Sequence, residues 1–523
     1  MLGNGPVGQT TALLLARWGL PVVLLDARPE RDAVGSRAIC QQRDVLDVWE
    51  CVGAGRRIAD EGVTWAVART FHRDRELFAY MLPPQKGSCF PPFVNISQAR
   101  TEAILDERVA AQPLIDVRWD HQVVGLRQDG EGVTVSCRTA AGRLEVGAAY
   151  AVACLGARAD ELRRRLGVTF DGHSFDDRFL ICDVRAELPG WANERRFYFD
   201  PVWNPGRQVL IHPCPDSMFR IDWQVPVDFD LEAEQASGAL DARIRAILGD
   251  RPYELRWCSV YRFHSRLVDR MRVGRVLLAG DCAHLMAPFG ARGLNSGVAD
   301  AENAAWKLAY VLRGWAPESL LESYHHERHA AALENLEVTA ATMRFLVPHD
   351  EEERSRRADV LARAAVEPAA RRDVDSGRLA EPFWYVDSPL TTPSATRPFA
   401  GRPDRGAVGP AAPGTLVCDA PISMPGSPYR RLREIARDGL LVLVGPAIDL
   451  TLVRAAAEEV QGPVRILALE EIDAGGSVRE ALAAKPDELW AIRPDAHVAA
   501  VLTAPGREDV ARALRRALGG DVA

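Results

Sequence analysis

Val276-Leu-Leu-Ala-Gly-Asp-Cys-Ala-His-Leu-Met-Ala-Pro-Phe-Gly-Ala-Arg-Gly-Leu-Asn-Ser-Gly-Val298 is the stretch whose reading decides the fold. Val276 to Ala279 are apolar and suit a short buried strand, Gly280-Asp281 break it, and Pro288 to Gly293 form a loop feeding a helix from about Ser296. An acid therefore sits where a strand ends. The helix carries Val298, Ala301, Ala304, Ala305, Leu308, Val311 and Leu312 at three- and four-residue steps, which buries one face and leaves Asp300, Glu302 and Lys307 in water. Unpaired amides from Gly293 to Ser296, backed by the helix dipole, make a site for an anionic or electron-rich edge, and Asp281 offers acceptors to hydroxyls nearby. Spacing alone fits equally well an ordinary strand-loop-helix unit with Asp281 as a helix cap.

At the start of the chain, Met1-Leu-Gly-Asn-Gly-Pro-Val-Gly8 is a G-x-G-x-x-G that runs into an Ala- and Leu-rich helical stretch from Thr10 to Trp18. Val22 to Leu25 then read as a buried strand ending in Asp26. Gly3, Gly5 and Gly8 make a turn that, with the N-terminus of the helix after it, can hold a phosphate, and an acid about 20 residues on can accept ribose hydroxyls. Only Met1 and Leu2 stand before Gly3, so the strand that opens a doubly wound nucleotide domain is missing from the pattern. The expectation is an exposed sheet centre and a weakened cofactor site.

Gly280-Asp-Cys-Ala-His284 followed by Pro288-Phe-Gly-Ala-Arg-Gly-Leu-Asn-Ser-Gly297 resembles the second FAD motif of the single-component flavin aromatic hydroxylases. That family includes para-hydroxybenzoate, phenol, 3-(3-hydroxyphenyl)propionate and polyketide hydroxylases. The resemblance implies that Gly3, Gly5, Pro6, Gly8 and Asp26 hold the adenosine diphosphate end of FAD, and that Asp281 holds the ribityl chain. It also implies that Pro288, Gly293 and the backbone of Leu294 and Asn295 face the pyrimidine end of the isoalloxazine, and that Arg37 and Gln98 reach the cofactor. On the residues alone, Arg37 is a surface arginine and Ser97 beside Gln98 is a helix cap. At Leu155-Gly156-Ala-Arg158 the family usually has Asp-Gly followed by Ala-Arg-Ser; here Gly156 matches, whereas Leu155 and Ala159 depart. Reduction by NAD(P)H is therefore expected to be slowed, because a leucine accepts no hydrogen bond.

The implied fold is α/β: a Rossmann-like FAD-binding domain with an inserted antiparallel-sheet substrate domain and a C-terminal thioredoxin-like domain. Its expected pieces are 1–165 with a small insert near 65–95, the substrate sheet 166–258, a second FAD-binding part 259–345, a connector 346–413, and the last unit 414–523. The residues agree with short strands between Phe170 and Val227, and with a Pro/Gly-rich stretch from Pro382 to Pro413 that reads as a linker. Phe197, Tyr198, Phe199, Trp203, His212 and Trp223 supply aromatic surface, most of it for core packing. Cys418 is the last unit's only cysteine, so dithiol chemistry is ruled out and a structural role is expected, with association into a homodimer open to it. His325, His326 and His329 lack a supporting ligand from another segment and are expected on a solvated face rather than around a metal.

A net charge of −8 over 523 residues argues against nucleic acid or an anionic membrane as partner. Ten cysteines occur singly with no C-x-x-C, and neither a signal peptide nor a spanning apolar run is evident, which reads as a cytoplasmic protein. By resemblance the activity is FAD-dependent hydroxylation of a small phenolic or polyketide aromatic substrate with NAD(P)H and O2, through a flavin C4a-hydroperoxide. Baeyer–Villiger oxidation or epoxidation of a polyketide-like substrate, and an impaired flavoprotein or scaffold, are the alternatives. No catalytic base is assignable: His212, Tyr198 and Tyr261 qualify by type only, and His284 reads as packed in its motif.

Overall fold

The computed structural model describes residues 1–32, 38–82, 88–402, 409–473 and 475–520. Arg37 lies outside the described residues.

A parallel sheet forms the centre of the first unit. Ile115–Arg118 pairs with Val22–Leu25, and Ala151–Ala153 with Val276–Leu278, which Arg272–Val273 borders antiparallel. Met1, Leu2 and Gly3 lie between these two pairs and bond to both. Leu2 bridges both Leu25 and Ala153, with its N–H donating to Val152 O at 2.9 Å and its carbonyl accepting from Cys154 N at 2.7 Å. Gly3 N donates to Leu25 O at 2.8 Å and the Met1 ammonium to Val23 O at 2.6 Å. The sheet centre is thus closed rather than exposed: the neighbouring backbone groups are paired, and Leu2, 1% exposed, fills the core. Burial pushes the Met1 ammonium down to about 6.

The helix after the opening stretch spans Arg292–Leu312, a turn earlier than its periodicity suggests, with Ala291 before it in the left-handed conformation (φ 56°). Its expected wet face is also wrong. Asp300 and Lys307 are fully buried, whereas Leu312 is 41% exposed. The reason is that the helix is covered on two sides. Val298, Ala304, Ala305 and Leu308 join the core of the parallel sheet, while Trp306 and Tyr310 join a second core built on the C-terminal sheet. A helix between two cores buries charge when partners are supplied: Asp300 Oδ2 accepts from Gly280 N at 2.9 Å and pairs with His284 Nε2 at 2.7 Å, and Oδ1 accepts from Arg328 Nε at 2.7 Å. His284 is thereby packed, as its motif suggests.

A second, eight-stranded sheet runs in the order His284–Leu285, Tyr253–Val268, Phe170–Ala186, Met218–Val225, Gln208–Cys214, Glu194–Phe199, Val67–His72, Arg75–Met81. All neighbours are antiparallel except Glu194–Phe199 with Val67–His72. Within the insert near 65–95, Val67–His72 and Arg75–Met81 therefore belong to the same sheet as the strands after 170, whereas Phe93–Asn95 pairs with Cys40–Gln42 in a separate sheet.

Among the described residues after 346, much of the chain is packed. Glu351–Val366 is a helix, and Tyr385, Leu390 and Ala412 are buried within the stretch that reads as a linker. The last unit is a four-stranded sheet in the order Val464–Ala468, Leu440–Val444, Glu488–Ile492, Val498–Thr503, the first two parallel and the others antiparallel. Leu450–Ala457 and Arg507–Ala517 pack together on one side of it. Of the three clustered histidines only His326 is exposed: His325 Nδ1 accepts from Met271 N at 3.2 Å, and the rings of His325 and His329 lie 5.0 Å apart.

Candidate functional site

One cavity of about 770 Å³ runs from the glycine turn at the start of the chain to the face of the eight-stranded sheet. Gly3, Gly5 and Pro6 line one end together with Asp26 and Gln98. Gly156 lines its middle with Asp281, and Pro288, Gly293 and Leu294 border the passage to the sheet.

The three glycines of the first turn do different things. A Cβ on Gly3, whose φ is +103°, would lie 2.4 Å from Cys154 O, and one on Gly8 would lie 1.9 Å from Gly3 O, so both serve close backbone packing. Gly8 is buried and does not line the cavity. A Cβ on Gly5 meets nothing within 4 Å, and the same holds at Gly156 and Gly293. These three positions therefore leave open space along the cavity wall where a bound group can approach the backbone.

Asp26 sits at the end of Val22–Leu25 and is already engaged. Asn4 N donates to Oδ2 at 2.9 Å, and Arg28 N and Nε both donate to Oδ1 at 2.9 Å. Burial works to raise this carboxyl, but the Arg28 bonds outweigh it and hold it below the usual carboxylate range. Gln98 Oε1 accepts from Ala38 N at 3.1 Å and its amide donates to Glu102 Oε1 at 2.8 Å.

Because the helix begins at Arg292, its unpaired amides are those of Arg292, Gly293 and Leu294 rather than Gly293 to Ser296. Asn295 does not reach the cavity. Its amide donates to Cys40 O at 3.0 Å and accepts from Gln42 N at 3.0 Å, which ties the strand Cys40–Gln42 to the helix start. Arg292 is buried, lines the cavity and donates to Arg378 O at 3.2 Å. The connector closes this end: Ala380 N donates to Gly290 O at 2.9 Å, and Gly377 and Leu379 line the wall.

The sheet supplies the other end, through the period of two by which successive side chains of a strand point to opposite faces. Phe179 and Ile181 face the cavity while Leu180 and Cys182 face a separate core, and Trp257, Ser259, Tyr261 and Phe263 repeat the pattern on the neighbouring strand. Of the aromatic candidates, Phe197, Phe199 and Trp223 are fully buried in cores, and Tyr198 stacks on Phe71 at 4.4 Å away from the cavity. His212 and Tyr261 do line it.

Beyond the aromatic part lies a polar row that sequence reasoning missed apart from His212. Asp183 is in register with both Trp257 and Arg220, and Arg220 with His212. Arg220 donates to both oxygens of Asp183 at 2.8 Å, its guanidinium lies 5.6 Å from the Trp257 ring, and Arg195 reaches Ser376 Oγ at 3.3 Å. Burial, together with the Arg195 and Arg220 charges, holds His212 well below its ordinary value, so the ring is neutral.

The glycine cradle, the acid at the second strand end and the amides at a buried helix start are the parts a dinucleotide with a polyol and an electron-accepting ring requires. A family model described as an FAD binding domain matches residues 1–339. The chain belongs to this family of flavin-dependent monooxygenases. It is 33% identical over 351 residues to a rifampicin monooxygenase of Streptomyces venezuelae, covering 66% of this chain and 71% of that one. It is also 28% identical over 400 residues to a 3-(3-hydroxy-phenyl)propionate/3-hydroxycinnamic acid hydroxylase of Mycobacterium sp. (strain JLS), covering 76% and 69%. The solved structure of the flavin-dependent monooxygenase PieE with FAD and substrate shares the fold at a TM-score of 0.84 and 23% identity, covering 98% of each chain. This enzyme is thus an FAD-dependent monooxygenase with a mixed α/β fold. Among its described residues, no helix is long and apolar enough to cross a membrane.

Proposed function

We propose that this monooxygenase hydroxylates a phenolic or polyketide aromatic ring, with NAD(P)H as reductant and O2 as oxidant. The observation that carries this reading is the single cavity joining the glycine-lined cradle to an aromatic sheet face.

The residues fit the cofactor residue by residue. Gly3, Gly5 and Pro6 take the diphosphate, with Gly8 holding the turn from behind, and Asp26 takes the adenosine ribose after Arg28 gives way. Gln98, Gly156 and Asp281 line the path of the ribityl chain, and Pro288, Gly293 and Leu294 meet the pyrimidine edge. The amides of Arg292 to Leu294 and the buried Arg292 guanidinium favour negative charge there, at fixed positions that need no reorganisation. Bound FAD supplies the activation of O2 and the transfer of one oxygen atom. The protein orients the ring between Phe179, Tyr261 and Phe263, and it keeps water out with the connector wall at Gly377 and Leu379.

The last unit, with its parallel pair followed by two antiparallel strands and a closing helix, is read as thioredoxin-like and as structural. The pieces 1–165, 166–258, 259–345, 346–413 and 414–523 serve as working divisions, with Val67–His72 and Arg75–Met81 assigned to the substrate sheet. Homodimerisation and a cytoplasmic location complete the proposal.

The test is anaerobic stopped-flow reduction of the FAD-loaded enzyme by NADH and NADPH with a panel of phenolic acids and polyketide phenols, followed by aerobic turnover and mass spectrometry. Accelerated reduction by one phenol and a product one oxygen heavier support the reading. Flavin that binds but is reduced by neither nucleotide withdraws it.

A further inference from the structure

The polar row under the aromatic cavity holds one acid without a matched partner. Asp183 is satisfied by Arg220, but Asp222, two residues along the same strand face from Arg220, lines the cavity with its Oδ1 buried and without a hydrogen-bond partner among the described residues. Its cross-strand neighbours are Ile181 and Leu210, both apolar and both cavity-lining, so the carboxyl stands among hydrocarbon with the aromatic side chains one register step away. A buried carboxyl oxygen with no donor is destabilising, and it is retained in a folded site when a ligand supplies the missing bond.

We propose that Asp222 is the catalytic base that accepts the hydroxyl proton of the aromatic substrate. The inference deepens the hydroxylase reading and rests on it. In the step, the substrate O–H bond breaks, its electron pair stays on the phenolic oxygen, and an O–H bond forms on the Asp222 carboxylate. One negative charge thereby moves from Asp222 to the ring oxygen, where it makes the ring electron-rich for attack on electrophilic oxygen. The Arg220 charge, fixed by Asp183, acts on Asp222 and favours its ionised form. After oxygen insertion the hydrogen displaced from the ring carbon leaves as a proton that ends in the water formed with the second oxygen atom, and Asp222 returns its own proton to the product oxygen, which restores the base.

The surroundings suit the role. Burial pushes the Asp222 carboxyl up to about 7, against the pull of the Arg220 and Arg195 charges and with Asp183 adding to the rise. Beside the charged Arg220, Asp183 and Arg195, burial holds His212 well below its ordinary range and pushes the Cys214 thiol up to about 12. An acid whose affinity for protons matches neutral pH is the efficient partner for a phenol, since it is ionised often enough to accept and basic enough to pull. Tyr261 and His212 line the same cavity, and His212 Nδ1 is likewise buried without a partner among the described residues, but burial and the Arg195 and Arg220 charges oppose protonation of that ring, and Tyr261 is itself a phenol.

Asp222→Asn and Asp222→Glu, prepared with FAD bound, test this. The first measurement is independent of the substrate: the infrared difference between wild type and Asp222→Asn, titrated through neutral pH, should show one carboxyl losing its proton near pH 7 in the wild type. The second is the pH profile of hydroxylation for whichever phenol of the panel is turned over. Wild type should show an acid limb, Asp222→Asn should lose that limb and fall by roughly a hundredfold in hydroxylation with FAD content unchanged, and Asp222→Glu should keep a limb. No carboxyl titrating near neutrality, or an Asp222→Asn enzyme with the wild-type rate and limb, overturns the assignment. A wild-type enzyme that oxidises NAD(P)H but hydroxylates none of the phenols fails at the parent reading, and both fall together.

Discussion

Arg493, near the end of the chain, pairs through both terminal nitrogens with Glu327 on the helix Glu322–Leu346, with Nη2 at 2.9 Å from Oε2. The two residues are 166 positions apart and both are buried. Lys307 Nζ donates to the same Glu327 oxygen at 2.6 Å, and Arg493 Nη2 also donates to Asp495. The stretch Ile492-Arg-Pro-Asp-Ala-His-Val498 is thus the joint between the C-terminal sheet and the flavin-binding unit.

Removing one partner of such a pair leaves the others buried and uncompensated. Arg493→Met is expected to destabilise the enzyme by about 3–5 kcal/mol, visible as a lowered thermal unfolding midpoint, with limited proteolysis releasing the C-terminal unit earlier. An unchanged midpoint would show that the joint is held by apolar packing alone.

The buried Asp300 predicts an acid-limb dependence. Burial works against its charge, yet the His284 and Arg328 charges and the Gly280 amide bring it down to about 2. A depressed carboxyl stabilises the fold above its ordinary value of 3.8, and that contribution, roughly 2 kcal/mol for a shift of this size, is lost as pH falls from about 4 through 2. Asp300→Asn should lower stability at neutral pH and flatten the wild-type loss between pH 4 and 2. Urea midpoints measured across that range decide it.

The glycine turn separates cofactor binding from folding. Gly5→Val places its side chain in open cavity space and is expected to give folded, colourless protein. Gly3→Ala collides with the Cys154 carbonyl in a left-handed backbone and is expected to misfold. Circular dichroism and the flavin absorbance of the purified variants distinguish these outcomes, and yellow Gly5→Val protein would refute the assignment of that end.

Leu155 lines the cavity beside Gly156 where the resemblance places an aspartate. Leu155→Asp should speed anaerobic reduction by NADH or NADPH about tenfold, the worth of one hydrogen bond to the nucleotide. Identical rates and nucleotide affinity would mean that Leu155 is no handicap.

Much of the cofactor end was legible because it depends on local backbone geometry. Gly5, Pro6, Asp26, Asp281 and Gly293 come together since a strand, a turn and a helix start dictate where each points, and these are written in short-range spacing. The sheet end of the cavity is less legible. Its strands follow from local alternation, but the pairing that brings Trp257, Asp183, Arg220 and His212 into one row, with Asp222 a step beyond, links strands up to several tens of residues apart, and no local pattern sets that register.

The same distinction explains the helix Arg292–Leu312. Its existence and its apolar stripe follow from three- and four-residue periodicity, which the sequence carries by itself. That Asp300 and Lys307 are buried follows from the C-terminal unit covering the opposite face and from His284, Arg328, Glu327 and Arg493 arriving as partners. A charge is buried only where other segments supply its hydrogen bonds, and only tertiary structure decides which segments arrive.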